Sequence, residues 1–262
     1  MHTELAACAE DITAAAALER ASTLGLAIGF VEHADQLYFP RKEYWKFEKN
    51  IGRESEIRKA RDAGWSRWEE YRALAGSLRA GGILVGLEVE AGEDHEGLAL
   101  IEEDARGWNY LLGAVHEFHG MTGKTEPMGE LERDFMTQVR RLAAGGVDVL
   151  AHPFRAFQRK ARPAPRDLYG PVADLLAAHG IAAEINFHTN RPDPEFLRAC
   201  LDRGVKLAVG TDSHAISEVG TLDRHIALIR ELGVWDRLDK VLWRPLRDGG
   251  NRATPGRDLI LE

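Results

Sequence analysis

Residues 206–214 read KLAVGTDSH, and this stretch shows the pattern on which the fold prediction is based. Its first five residues form a short, largely apolar run that is typical of a buried β-strand. Asp212 and His214 follow one residue apart, so in an extended segment both side chains leave on the same side. The stretch therefore predicts a strand with two polar side chains at its carboxyl end.

Similar apolar runs alternate with helical patterns along the chain. Strands are predicted at 26–31, 83–89, 110–115, 147–151, 182–186, 206–210 and 240–243, and helices at 14–25, 130–146 and 195–204. Most of the helical patterns are followed by a glycine, which is a signal for a helix end. This alternation predicts an α/β fold with a parallel sheet, and seven or eight units favour closure into a barrel.

Length and charge narrow the class of protein. A chain of 262 residues suits a single α/β barrel domain. The formal charge of -8 argues against a nucleic-acid partner and fits a small charged metabolite. No apolar run is long enough to span a bilayer, and the first residues carry acids where a secretory signal carries bases. We therefore expect no membrane association and a cytoplasmic location.

Two segments interrupt the alternation. Residues 38–80 are predicted as a helical insert over one barrel mouth, and the first part of this segment is rich in aromatic residues. They are Tyr38, Phe39, Tyr44, Trp45, Phe47, Trp65, Trp68 and Tyr71. These rings either pack the insert onto the barrel or form a substrate lid. Residues 154–166 are basic in an otherwise acidic protein.

Potential metal ligands follow five of the predicted strands. They are His33, Glu88, His116, His152, Asp212 and His214. A single histidine at a strand end is more often a hydrogen-bonded structural residue. Six ligand-type residues at matching positions favour a metal centre, because the carboxyl ends of barrel strands converge on one face. A set of ligands made up of imidazoles and carboxylates, with almost no thiolates, suits Zn, Mn or Fe.

An ordered set of motifs resembles the PHP superfamily, the polymerase and histidinol phosphatase group of metal-dependent phosphoesterases. The matching motifs are HTE at 2–4, EH at 32–33, GLE at 86–88, AVH at 114–116, AHP at 151–153 and GTDSH at 210–214. The resemblance covers most of the chain outside the 38–80 insert and the C-terminal end. It implies one PHP-type domain over 1–262, with a distorted (β/α)7 TIM-like barrel that binds about two to three divalent ions.

The resemblance also implies a ligand set for each ion. The sets are His2, Glu88 and Asp212 for the first ion, Glu88, His116 and His152 for the second, and His33 and His214 for the third. Cys8, Glu10 and Asp11 are alternatives for a further ligand of the third ion. The spacing from His2 favours Cys8, whose other interpretation is a small buried thiol.

His2 corresponds to the second histidine of a His-x-His motif in this superfamily. The first histidine and the first strand are therefore expected upstream of Met1. We expect the start codon at Met1 to be internal and the first strand of the barrel to be truncated in this chain.

The implied activity is hydrolysis of a small phosphomonoester, such as histidinol phosphate, by a metal-bridged hydroxide. Asp212 is expected to accept or relay a proton, and Arg155 and Arg191 to bind the phosphate through their planar guanidiniums. Two alternatives remain: a nuclease or nucleotide phosphodiesterase, and a degenerate module that binds metal without catalysis. The sequence gives no prediction of oligomeric state.

Overall fold

Six parallel strands form the centre of the protein in a computed structural model that describes residues 1–46 and 53–245. They are β1 (Gly29–His33), β2 (Leu84–Glu90), β3 (Leu111–Ala114), β4 (Val149–Leu150), β5 (Ala182–Asn186) and β6 (Leu207–Gly210). They pair in chain order, and the sheet curls into a half-barrel. The predicted α/β class and parallel sheet are confirmed, whereas the described residues do not form a complete barrel.

Helices connect the strands in the described parts of the chain. They are α1 (Ala14–Thr23), α2 (Glu54–Asp62), α3 (Trp68–Ala80), α4 (Met128–Ala144), α5 (Arg155–Arg159), α6 (Tyr169–His179), α7 (Pro194–Asp202), α8 (Asp223–Glu231) and α9 (Leu238–Val241). The three predicted helices correspond to α1, α4 and α7. Across these residues, no helix is both long enough and apolar enough to cross a bilayer.

The strand predicted at 240–243 is wrong. Residues 240 and 241 belong to α9, and Leu242 forms only an isolated parallel bridge with Leu207. The Trp243 amide donates to the Leu207 carbonyl at 2.8 Å, but Pro245 follows and has no amide hydrogen to continue a ladder. The last of the seven predicted strands is thus reduced to one bridge.

The first two residues lie in the gap between the two edges of the curled sheet. The Val31 amide of β1 donates to the Met1 carbonyl at 3.0 Å, and the His2 amide donates to the Ser213 carbonyl, beyond β6, at 3.1 Å. This pair of bonds joins β1 to the segment after β6. It also places the His2 side chain at the carboxyl ends of the strands.

The insert contains the expected pair of helices, α2 and α3. Tyr71 of α3 is fully buried, stacks on Trp108 with ring centroids 5.0 Å apart, and donates from its hydroxyl to the Gly86 carbonyl of β2 at 2.6 Å. Tyr38 and Trp68 are also buried. Five of the eight rings are buried, whereas Trp45 and Trp65 are exposed. Phe47 lies outside the described residues, and a lid function stays a prediction.

The Tyr71→Phe variant tests the attachment of the insert to the sheet. The change removes the hydroxyl and leaves a buried strand carbonyl without its partner, so the free energy of unfolding should fall by about 1–2 kcal/mol. Urea unfolding followed by circular dichroism measures the change. Trp45→Phe is the control, because Trp45 is 54% exposed and its replacement should alter stability by no more than about 0.5 kcal/mol. Equal stability of Tyr71→Phe and the wild type would contradict the prediction.

Candidate metal centre

One buried carboxylate lies at the middle of the strand ends. Glu88 of β2 is 3% exposed, and four imidazoles surround it. Its Oε1 lies 3.1 Å from His116 Nε2 and 3.0 Å from His152 Nε2. Its Oε2 lies 3.5 Å from His2 Nε2 and 3.6 Å from His33 Nδ1. The structure therefore brings predicted ligands from the N-terminal segment and from three strand ends onto a single side chain.

Asp212 extends this cluster on the β6 side. Its Oδ1 lies 3.0 Å from His2 Nε2, while its Oδ2 lies 2.8 Å from Arg155 Nη1 and 3.3 Å from Asn186 Nδ2. Asp212 is buried, as are both of its nearest charged or ionisable neighbours, His2 and Arg155. The carboxylate thus has one oxygen toward the histidines and one toward the arginine.

Potential ligand atoms lie within 4.8 Å of one another in four groups among the described residues. The groups are His2, Glu88 and Asp212; His33, Glu88 and His116; His2, His33 and His214; and His188, His214 and Glu218. The first equals the set implied for the first ion. The second contains His33 in the place implied for His152, although His152 also touches Glu88. These clusters could hold metal ions.

The chemistry of the cluster fits divalent cations. Four buried atoms in it have no hydrogen-bond partner among the described residues: His2 Nδ1, Glu32 Oε2, His116 Nε2 and His152 Nδ1. Buried polar atoms are usually paired. His116 Nε2 lies 3.1 Å from Glu88 Oε1, so once this nitrogen has lost its proton both atoms can donate electron pairs to one cation. Imidazole and carboxylate donors suit Zn, Mn or Fe.

Two of the predicted ligands have a strained backbone. His152 and Asp212 have φ values of 29° and 50°, in a region that residues other than glycine seldom adopt. Such strain costs about 1–3 kcal/mol per residue and concentrates at functional sites. The turn at His152 is held by its own amide, which donates to Glu184 Oε2 at 2.7 Å. Phe154 also has a positive φ, and its ring stacks on Phe135 with centroids 5.0 Å apart.

Neighbouring acceptors fix the orientation of two histidine rings. Glu90 Oε1 lies 2.6 Å from His116 Nδ1, and the Asp212 carbonyl lies 2.7 Å from His214 Nδ1. Each contact engages one ring nitrogen and leaves Nε2 free to ligate, as is usual for metal-binding histidines. Glu90 was not among the residues predicted for the site. Its position two residues after Glu88, on the same face of the strand, is the signal that could have identified it.

The charges in the cluster shift several pKa values. Burial alone would raise the pKa of Glu88, but the surrounding imidazoles outweigh burial and hold it well below its usual range. Burial alone would lower the pKa of His116, but Glu90 and Glu88 raise it to about 9. Burial, with the nearby charge of Arg155, lowers the pKa of His152 to about 4. The cluster thus has an anionic centre around which the imidazoles differ in proton affinity.

The cluster opens into a cleft of about 870 Å³. Lining residues include His33, His116, His214, Arg155, Arg159 and Trp45. Cys8 also lines this cleft, where its half-buried thiol accepts a hydrogen bond from Gln36 Nε2 at 3.7 Å. Burial raises the pKa of that thiol, and Cys8 belongs to none of the four ligand groups. A ligand role for Cys8 therefore stays a prediction.

Arg191 lies outside the residues that line this cleft. It lines an adjoining depression of about 900 Å³, and its amide and carbonyl are both hydrogen-bonded to the side chain of Gln158. Arg155, in contrast, lines the cleft itself and contacts Asp212. Arg155 and Arg191, which were expected to bind one phosphate, thus line different spaces, and their roles stay predictions.

Comparison with known proteins points to phosphatases. No protein-family model matches the chain. A probable histidinol-phosphatase of Deinococcus radiodurans is 29% identical over 54% of this chain and 62% of its own length. Probable phosphatases of Shewanella loihica and Acetivibrio thermocellus are 28% and 29% identical over 58% and 57% of this chain, and 59% and 60% of theirs. The chain spans about three-fifths of these curated relatives, whose names suggest a hydrolase.

Glu90→Ala should weaken metal binding, because it frees the His116 ring to turn away from Glu88. We expect a loss of about 10- to 100-fold in affinity for Zn²⁺, measured by calorimetry on the chelator-treated protein. Glu90→Gln, which keeps an acceptor oxygen, should lose less. The control is Glu93→Gln, since Glu93 lines the same cleft but pairs with Arg53. Unchanged affinity in Glu90→Ala would contradict the role of Glu90.

Metal binding should also release protons. Burial lowers the pKa of His2, but its contacts with the carboxylates of Asp212 and Glu32 outweigh burial and raise the pKa well above its usual value. His2 and His116 are therefore protonated near neutral pH in the absence of metal. Since ligands must be deprotonated, binding should release about one proton from each histidine, and affinity should fall as the pH drops below about 9. Calorimetry in buffers of different ionisation enthalpy measures this release, and its absence would contradict the assignment.

Proposed function

We propose that this chain is a metal-dependent phosphoesterase of the PHP type that hydrolyses a small phosphomonoester, with histidinol phosphate as a candidate substrate. The observation that carries the proposal is the Glu88 carboxylate, buried at the strand ends and surrounded by four imidazoles beside Asp212. The relatives named probable phosphatase and probable histidinol-phosphatase support the same class of reaction.

The proposed ligands belong to three overlapping sets. His2, Glu88 and Asp212 would hold one ion, Glu88 and His116 with His33 or His152 a second, and His33 and His214 a third, to which Cys8 is the proposed addition. Bound Zn, Mn or Fe would lower the pKa of water toward neutrality and offset the negative charge of the phosphoryl oxygens.

Arg155 is the proposed contact for the scissile phosphate. Its side chain is 5% exposed, lines the cleft, and is anchored by the bond from Nη1 to Asp212 Oδ2 at 2.8 Å. Its buried Nε has no hydrogen-bond partner among the residues described. A guanidinium with one arm fixed keeps its remaining donors in a rigid plane that matches phosphate oxygens.

Asp212 is the proposed proton acceptor. Burial would raise its pKa, but the hydrogen bond to His2 and the charge of Arg155 outweigh burial and keep the pKa well below its usual value. The carboxylate is therefore anionic at neutral pH, and its proposed role is to take or relay a proton from the attacking water. No side-chain nucleophile is required by this proposal.

A phosphodiesterase is the second candidate. Trp45 is 54% exposed and lines the cleft beside Tyr44, so an aromatic platform is available for a nucleobase. The two candidates differ in the phosphate ester that they hydrolyse: a monoester has one substituent on phosphorus and a diester has two.

The first test compares these substrates. We expect the purified protein to release phosphate from p-nitrophenyl phosphate and histidinol phosphate, to lose this activity in EDTA, and to regain it with Zn²⁺, Mn²⁺ or Fe²⁺. Hydrolysis of bis(p-nitrophenyl) phosphate alone would favour the diesterase. Metal binding without any hydrolysis would instead favour a non-catalytic module and contradict the proposal.

Arg155→Ala should lower kcat/KM for a phosphomonoester by about tenfold or more, because the phosphate loses a fixed cation. Arg155→Lys should restore only part of this loss, since an ammonium cannot reproduce the planar fork. Arg237→Ala, outside the residues that line the cleft, is the control for removal of one charge. Steady-state kinetics with matched metal content measure the effect, and unchanged kinetics in Arg155→Ala would refute its role.

A further inference from the structure

The depression next to the catalytic cleft has an unusual charge for an acidic protein. Arg162, Arg191 and Arg224 line its volume of about 900 Å³, and Asp193 is the one acidic residue among the lining residues. The whole chain has a formal charge of -8. The three guanidiniums therefore give this depression a local positive charge, opposite in sign to the net charge of the chain.

The carboxylate in this depression is already engaged. Asp193 Oδ1 accepts from the Glu195 amide at 2.8 Å and begins α7, while Oδ2 accepts from the Tyr169 hydroxyl at 2.8 Å. Two of the arginines contact neutral groups: Arg162 Nη1 donates to a backbone carbonyl, and the Arg224 guanidinium lies 4.3 Å from the ring centroid of Phe187. Their positive charges therefore remain available to an anion.

A buried amide in the same wall also lacks a partner. Asn190 is 4% exposed and lines the depression, and its Nδ2 donates to the Asn186 carbonyl at 3.1 Å. Its Oδ1 has no hydrogen-bond partner among the described residues. An unpaired polar atom thus lies in the wall of the depression, where unpaired buried acceptors cost free energy.

The depression and the catalytic cleft are held together by α5. Arg155, at the start of α5, contacts Asp212. Gln158, three residues later, binds both the amide and the carbonyl of Arg191 at 2.9 Å. Residues three apart on a helix have their Cβ atoms about 5–6 Å apart. Thr189 lines both spaces, so the two spaces are neighbours.

We infer that this depression is a second anion subsite, and that the substrate is a phosphomonoester with another anionic group a few bonds from the scissile phosphate. The inference rests on the proposed phosphoesterase function. It assigns the anion contact expected of Arg191 to the second group, together with Arg162 and Arg224. A carboxylate and a second phosphate share the chemistry that this subsite recognises.

The kinetic test uses substrate pairs that differ in the second anion. 3-Phosphoglycerate is compared with glycerol 3-phosphate for a carboxylate, and fructose 1,6-bisphosphate with fructose 6-phosphate for a phosphate. We expect kcat/KM to be about tenfold or more higher for the doubly anionic member of at least one pair, and Arg191→Gln and Arg224→Gln to reduce that ratio toward one. Equal values within both pairs would overturn the inference.

Arg198→Gln is the matched control, because it removes the same charge from an exposed ion pair with Glu231 and should leave the ratio unchanged. A preference that survives Arg191→Gln and Arg224→Gln would also overturn the subsite.

Direct binding separates failure of this inference from failure of the proposed function. Calorimetry with the chelator-treated protein measures the Kd of 3-phosphoglycerate and fructose 1,6-bisphosphate without turnover. We expect weaker binding by about tenfold in Arg224→Gln than in Arg198→Gln for the preferred ligand. If no ester is hydrolysed but this difference is found, the function is wrong and the anion subsite stands. Equal binding in the two variants overturns the subsite whatever the activity.

Discussion

The structure depends on the burial of one charge, the carboxylate of Glu88. An ionised carboxylate in a protein interior is strongly destabilising unless it is paired. Here four imidazoles supply the pairing, and they come from the N-terminal segment and from the ends of β1, β3 and β4. The parallel register sets His33 directly beside Glu88. Curling of the sheet brings the more distant histidines to the same point. The pairing of Glu88 with its four histidines therefore depends on the curled shape of the sheet.

The same cluster explains where the backbone is strained. The chain turns sharply after β4 and β6, through the positive φ angles of His152 and Asp212. Packing behind the first turn opposes this cost, since Phe154 contacts Phe135 and, edge on, Phe196, with centroids 5.0 Å apart in each pair. Glu184 supplies an acceptor for the His152 amide. The apolar core thus fixes the direction in which the ligands leave the strands.

Sequence patterns predicted the parts of the structure that depend on local periodicity. The parallel strands follow from short apolar runs, and the meeting of His33, Glu88 and His116 follows because parallel strands end at one edge. The seventh strand could not be predicted correctly from its apolar run, because Pro245 and α9 limit the pairing. The place of Arg191 depends on a contact between the Gln158 side chain and a distant loop, and such contacts leave no periodic signal.

The most direct test of the account is the metal content of the protein with and without the central carboxylate. Elemental analysis after purification without chelators should find about two to three equivalents of Zn, Mn or Fe in the wild type, and at most a small fraction of this in Glu88→Gln. Glu93→Gln, which changes an acid in the same cleft, should keep the full content. Equal metal content in Glu88→Gln and the wild type, or none in either, would contradict the central role of Glu88.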